Sequence, residues 1–131
     1  MDGETDLGEL LRLMRPALAP ATYVYCTVAA ERADALTFRP ACLIVEDEGV
    51  TVVCTAQQAE QAGLDGHFPC RRITLTVHSS LEAVGLTAAV ATALSESGIS
   101  ANVVAGYHHD HVFVPAASAQ DALVLLTGLG G

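Results

Sequence analysis

Residues 72–78 alternate without a break: Ile73, Leu75 and Val77 stand against Arg72, Thr74, Thr76 and His78. A period of two describes a strand with one apolar and one polar face. Directly after it the period changes. Ser79 and Glu82 form a capping-box pattern. Leu86, Val90, Ala93 and Leu94 then recur at helical spacing, and Gly98 stands where a left-handed residue closes a helix. ISANVVA and HVFVP read as two more strands, and Ser118 caps a last helix carrying Ala122, Leu123 and Leu126. Strand, helix, strand, strand, helix is neither an all-α nor an all-β pattern. It predicts an α+β layer, an antiparallel sheet with helices on one face.

The first half is less regular. Asp6 and Glu9 open a helix with Leu7, Leu10, Leu11 and Met14 on one face, and Pro16 stops it. Residues 22–28 alternate as a strand, and residues 29–40 read as a loop. Residues 41–46 and 50–55 form two strands around the turn Asp47-Glu48-Gly49. Thr55 with Gln58 caps a short helix that ends at Gly63. Residues 64–70, with Gly66 and Pro69, read as a linker. The expected division is therefore residues 1–66 and 71–131.

Composition narrows the function classes. The net charge is −9, with six arginines and no lysine. Phosphate backbones are held by clustered cations, so nucleic acid is not an expected partner. No apolar run reaches the ~18–20 residues of a membrane span, and the acidic start MDGETDLGELL is unlike a secretory leader. The expectation is a soluble cytoplasmic protein without a membrane partner. Cys26, Cys42, Cys54 and Cys70 include no C-x-x-C spacing, which argues for small packed side chains over a zinc or redox site.

Residues 72–115, RITLTVHSSLEAVGLTAAVATALSESGISANVVAGYHHDHVFVP, resemble an ACT domain, a small ferredoxin-like (βαββαβ) module of amino-acid metabolism. The carriers are the strand RITLTVHS, the loop SSLEAVG, the helix end and strand SESGISANVV, and the hairpin GYHHDHVFVP. The resemblance covers about residues 71–130. The whole chain is similar to small stand-alone bacterial ACT proteins with two ACT-like halves packed together. Eukaryotic cytosolic arginine sensors use a related tandem. Many amino-acid-binding ACT domains carry an aspartate and Pro-Gly in the first loop. Here Gly85 is present and the other two are not. No strand follows the last helix, so an N-terminal strand or a second chain must complete the sheet.

In such a unit the loop after the first strand and the turn before the third lie at one end of the sheet. The resemblance thus implies a ligand site built from Ser79, Ser80, Leu81, Glu82, Val84 and Gly85 on one side and His109 and Asp110 on the other. Asn102 would add a side-chain amide. The first-turn amides, residues 82–85, would seat a carboxylate, and Asp110 would hold an ammonium. An amino acid carries both groups. The implied protein is a regulatory small-molecule binder, a homodimer, with no cofactor and no catalysis.

The residues alone leave other readings open. His108-His109-Asp110-His111 also reads as a solvated hairpin tip and, less readily, with Glu82 or His78, as a metal site, because His109 and His111 point one way in a strand. Ser79 and Glu82 serve as well for capping alone. The chain could also be a structural interaction module without a ligand. Catalysis has little to stand on: there is no G-x-S-x-G and no phosphate-binding loop. Cys70 beside Arg71 is the one candidate thiol, and a histidine–carboxylate pair such as His109 with Glu82 could do acid–base work.

Overall fold

The computed structural model describes residues 6–77 and 85–130. The elements run α1 (Leu7–Leu13), β1 (Pro16–Val28), α2 (Ala30–Asp34), β2 (Cys42–Val45), β3 (Val50–Thr55), α3 (Ala56–Ala62), β4 (His67–Leu75), α4 (Leu86–Glu96), β5 (Asn102–Ala105), β6 (Asp110–Pro115) and α5 (Ala119–Gly128). This is the expected ferredoxin-like α+β class, with two ACT-like halves.

The chain divides into two compact units, Ala21–Cys70 and Met1–Pro20 with Arg71–Gly131. By packing, then, the residues up to Pro20 group with the second half. The cause is the apolar stripe of α1: Leu10 and Met14 are buried in the core of the later unit, with Leu7 and Leu11 against it.

Within Ala21–Cys70 the order of elements is βαββαβ: β1, α2, β2, β3, α3, β4. The strands pair in the order β2-β3-β1-β4. The apolar side of β1 and β3 supplies the core, Val24, Cys26, Val50, Val52 and Cys54, which Ala59 of α3 covers. α2 lies in the stretch read from sequence as a loop. It escapes a periodicity reading because none of its residues is buried. Thr55 and Gln58 form the expected capping box, with both bonds at 3.0 Å.

The other unit is also βαββαβ, but its fourth strand comes first in the chain. β4, α4, β5, β6 and α5 are followed in space by the start of β1, in the order β1-β4-β6-β5. The Thr76 N–H donates to the Arg15 carbonyl at 3.3 Å, and the Arg71 guanidinium donates to the Ala19 carbonyl at 2.9 and 3.0 Å. These bonds run the two strands antiparallel and supply the missing strand from the N-terminus. Pro16 therefore starts a strand as well as ending a helix, a position where its lacking N–H costs little. Ile73, Leu75, Val112 and Val114 face Leu86, Val90, Leu94, Ala122 and Leu126 in one fully buried cluster.

Two expected caps differ. The Asp6 carboxylate accepts the Glu9 N–H at 2.9 Å, but the Glu9 carboxylate pairs with Arg12 instead of returning to Asp6. Ser118 makes no side-chain cap bond, because the chain enters α5 through a 3-10 turn, Ala116–Ser118. β4 also begins earlier than expected, at His67, inside the stretch read as a linker; Phe68, at φ 56°, bends the chain into it. No helix among the described residues is long and apolar enough to cross a membrane.

Candidate functional site

The hairpin between β5 and β6 is tight. The Gly106 N–H donates to the His109 carbonyl at 2.9 Å. A Cβ at Gly106 would come within 2.8 Å of that oxygen, so the turn requires glycine. Tyr107 and His108 form the tip, their rings edge-on at 5.0 Å.

Strand alternation then sorts the cluster. Val112 and Val114 face the helices, and Asp110 shares their side. His111 points to the other face, where its Nδ1 lies 3.0 Å from the Thr74 hydroxyl of β4. The His109 Nδ1 lies 3.4 Å from the Val77 carbonyl, just past the end of β4. The turn 106–111 therefore stands beside the end of the strand that leads into α4. Thr74, which holds His111, belongs to the polar face already legible in RITLTVHS.

Of the other expected site residues, Ser79, Ser80, Leu81, Glu82 and Val84 lie outside the described residues, as does His78. Gly85 is described. It holds φ 103° and opens α4. Its carbonyl accepts the Ala89 N–H at 2.8 Å, which leaves the amides of Leu86, Thr87 and Ala88 without an intrahelical acceptor. A Cβ on Gly85 would approach Leu7 of α1 at 3.1 Å. The close neighbour is thus a packed leucine, a contact that no local pattern announces. Asn102 is not brought to this group. It pairs with Phe113, three steps down the hairpin from the Ala105–Asp110 pair, and lies on the sheet face opposite Asp110. That separation is about 10 Å along the strand.

Burial pushes the Asp110 carboxyl above its ordinary range, with His111 and His109 pulling it partly back. Burial pulls the His111 imidazole below its ordinary value, aided by Arg72 and His109 and opposed by Asp110. Among the described residues no three metal-ligating side chains converge. Alternation explains this for the cluster itself, because Asp110 and His111 leave the strand on opposite faces. Cys70 is fully buried, its thiol set 3.4 Å from the Tyr23 carbonyl. Burial pushes the Cys70 and Cys54 thiols up to about 11, so neither is a nucleophile at neutral pH.

Two ACT domain family models match the sequence, one over residues 2–71 and one over residues 68–128. The chain belongs to the ACT domain family. Membership supports a ligand-binding regulatory role for this ACT-domain protein. It is similar to a protein of unknown function from Vibrio cholerae, described as a possible transport protein: 50% identity, 95% of this chain and 96% of that one, TM-score 0.86. An Agrobacterium tumefaciens protein shares the fold at 18% identity, covering 89% of each chain, with TM-score 0.69. So does the ligand-free regulatory subunit of aspartate kinase from Thermus thermophilus, at 13% identity, 88% of this chain and 97% of that one, TM-score 0.66. No curated protein sequence matches.

Proposed function

We propose that this ACT-domain protein binds an amino acid, or a similar small zwitterion, and acts as a non-catalytic regulatory module. The observation that carries the reading is the contact of His109 with the Val77 carbonyl. It sets the turn 106–111 beside the end of β4, where the chain turns toward α4, with Asp110 on the helix side. In the proposed site Asp110 takes the ammonium. The opening amides of α4 take the carboxylate, together with the loop Ser79, Ser80, Leu81, Glu82 and Val84, because helix N-termini favour anions. His109 borders the site, and Gly85 opens the helix at its edge. Asn102 stays outside it. The protein acts as a homodimer, and its cysteines, none in a disulfide, suit the reducing cytoplasm. Regulation is then linkage: a ligand that prefers one assembly shifts the equilibrium by its differential affinity.

A thermal-shift screen against the twenty amino acids tests this. One or a few should raise the melting point, since a ligand at 100 times its Kd contributes about 2.7 kcal/mol. Asp110→Asn should remove that response and leave the melting curve cooperative. Twenty flat responses, or an unchanged response in Asp110→Asn, would overturn the reading.

A further inference from the structure

The sheet face turned away from α4 and α5 holds the half of RITLTVHS that the core does not use. Ile73 and Leu75 pack against those helices, so Arg72, Thr74 and Thr76 stand on the opposite side. Along β6, His109 lies by Val77 and His111 by Thr74. The two strands therefore run antiparallel, and the same count sets Phe113 beside Arg72. On the other flank the Thr76 N–H meets the Arg15 carbonyl, and the Arg71 guanidinium meets the Ala19 carbonyl. That register brings Ala17 and Ala19 beside Thr74 and Arg72. Beyond β6, the pairs with β5 add Val104 and Asn102.

Two properties set this face apart. The first is its sign. The net charge of the chain is −9, yet among the described residues β1, β4, β6 and β5 contribute no acidic side chain here. Asp110 stands on the helix side. The second is burial. Arg72, Thr74 and His111 are each half-buried, and the Arg72 Nε atom is fully so. A guanidinium drawn out of water interacts more strongly with an anion than one displayed on the surface. Ala17 and Ala19 set only methyl groups beside it, so that flank stays low.

The donors are ordered as well. The Thr74 hydroxyl carries one proton. In the tautomer whose His111 Nδ1–H donates to Thr74 Oγ1 across 3.0 Å, that proton is released to the open face beside Arg72. A guanidinium fork and a hydroxyl outside its plane suit a tetrahedral oxyanion better than a planar carboxylate. We propose that this face binds a phosphate group, held by the Arg72 guanidinium and the Thr74 hydroxyl, with His111 as a positioning residue behind Thr74. The proposal does not rest on the amino-acid reading, whose site lies on the other side of the sheet.

His111 reports on the site. Burial, then Arg72 and His109, hold its imidazole below its ordinary value, against Asp110, and β5 faces it with the uncharged Val104. A bound phosphate offsets Arg72 and so raises the titration midpoint of the imidazole. NMR titration of the full chain with inorganic phosphate, and separately with glycerol phosphate, should give saturable shifts at Thr74 and His111 and move that midpoint upward. Acetate at equal ionic strength should do neither. The tighter of the two probes tells free phosphate from a phosphate ester. Arg72→Gln should weaken binding at least about tenfold. Thr74→Val keeps the branched shape and should also weaken binding, with a His111 midpoint that no longer answers to phosphate; Thr74→Ser should restore both. Asp110→Asn should leave the phosphate response unchanged while it removes the amino-acid response. No saturable shift with either probe, an equal response to acetate, or parent-like binding in Arg72→Gln overturns the inference and leaves the amino-acid reading standing.

Discussion

The two hairpins β2–β3 and β5–β6 occupy the same place in their βαββαβ units and close with the same backbone bond, Glu46 N–H to the Gly49 carbonyl and Gly106 N–H to the His109 carbonyl. Their side chains diverge. Where one carries His109, Asp110 and His111, the other carries Gly49, Val50 and Thr51. Val50 is buried, at 5% exposure, and Asp110 is half-buried. One half thus packs an apolar residue at the start of the strand after the turn, and the other sets a carboxylate there. The difference teaches that the fold does not itself make a site. In the reading proposed above, one copy of the fold gains a site by giving up a packed residue at the position of Asp110. The outer strands differ as well: Leu43, Ile44 and Val45 of β2 are exposed, whereas the two valines of β5 are half-buried.

The comparison can be broken most sharply at Phe113, which occupies the position of Val53. Both are 1% exposed. Phe113→Ala should cost about 3–5 kcal/mol, and Val53→Ala about 1–2 kcal/mol at ~0.8 kcal/mol per buried methylene. Urea unfolding of both variants checks the order. Reciprocal exchange comes next. Val50→Asp buries a carboxylate in an apolar core and should cost about 1–3 kcal/mol or more. Asp110→Val relieves a carboxyl already strained by burial, so its unfolding midpoint should equal or exceed that of the parent while its amino-acid response disappears. If both exchanges destabilise equally, the two turns are equivalent and the contrast fails.

Capping gives a smaller effect. Thr55→Ala removes a formed capping bond and should cost about 1 kcal/mol. Ser118→Ala removes none and should stay within ~0.5 kcal/mol. Thermal melts of the pair decide it. The smallest effect is in pH. The folded state holds the His111 imidazole below its ordinary value of 6.5. Just below that value the unfolded chain binds a proton that the folded chain refuses, so stability falls as the pH drops through this window. The Asp110 carboxyl, raised above 3.8, acts with the opposite slope at lower pH. Melting points between pH 7 and pH 5 should therefore fall less in His111→Asn than in the parent.

The sequence was most legible where period and packing agree. The alternation in RITLTVHS and the stripe Leu86, Val90 and Leu94 yield β4 and α4, and through them the topology that sets the turn 106–111 beside the end of β4. It was least legible where long-range pairing outweighs local signals. Pro16 and Pro20 look like breakers, yet both lie in β1, which hydrogen bonds from β4 hold extended. Gly66 and Pro69 likewise obscure the start of β4. In the candidate site, the placement of His109 beside the end of β4 follows from topology and the opposite faces of Asp110 and His111 from alternation, whereas the contact of His111 with Thr74 appears only in the structure. The position of Asn102 depends on a hairpin register that its own sequence does not encode, and the packing of Leu7 against Gly85 joins residues far apart in the chain.

The central claim is that the end bearing Asp110, and not its counterpart bearing Val50, receives the ligand. An amide-resolved NMR titration with the amino acid that raises the melting point tests it directly. The account predicts that Gly85, His109, Asp110 and His111 shift together and saturate, while Gly49, Val50 and Thr51 stay in place. Shifts gathered at Gly49–Thr51, or spread evenly over both turns, would contradict it.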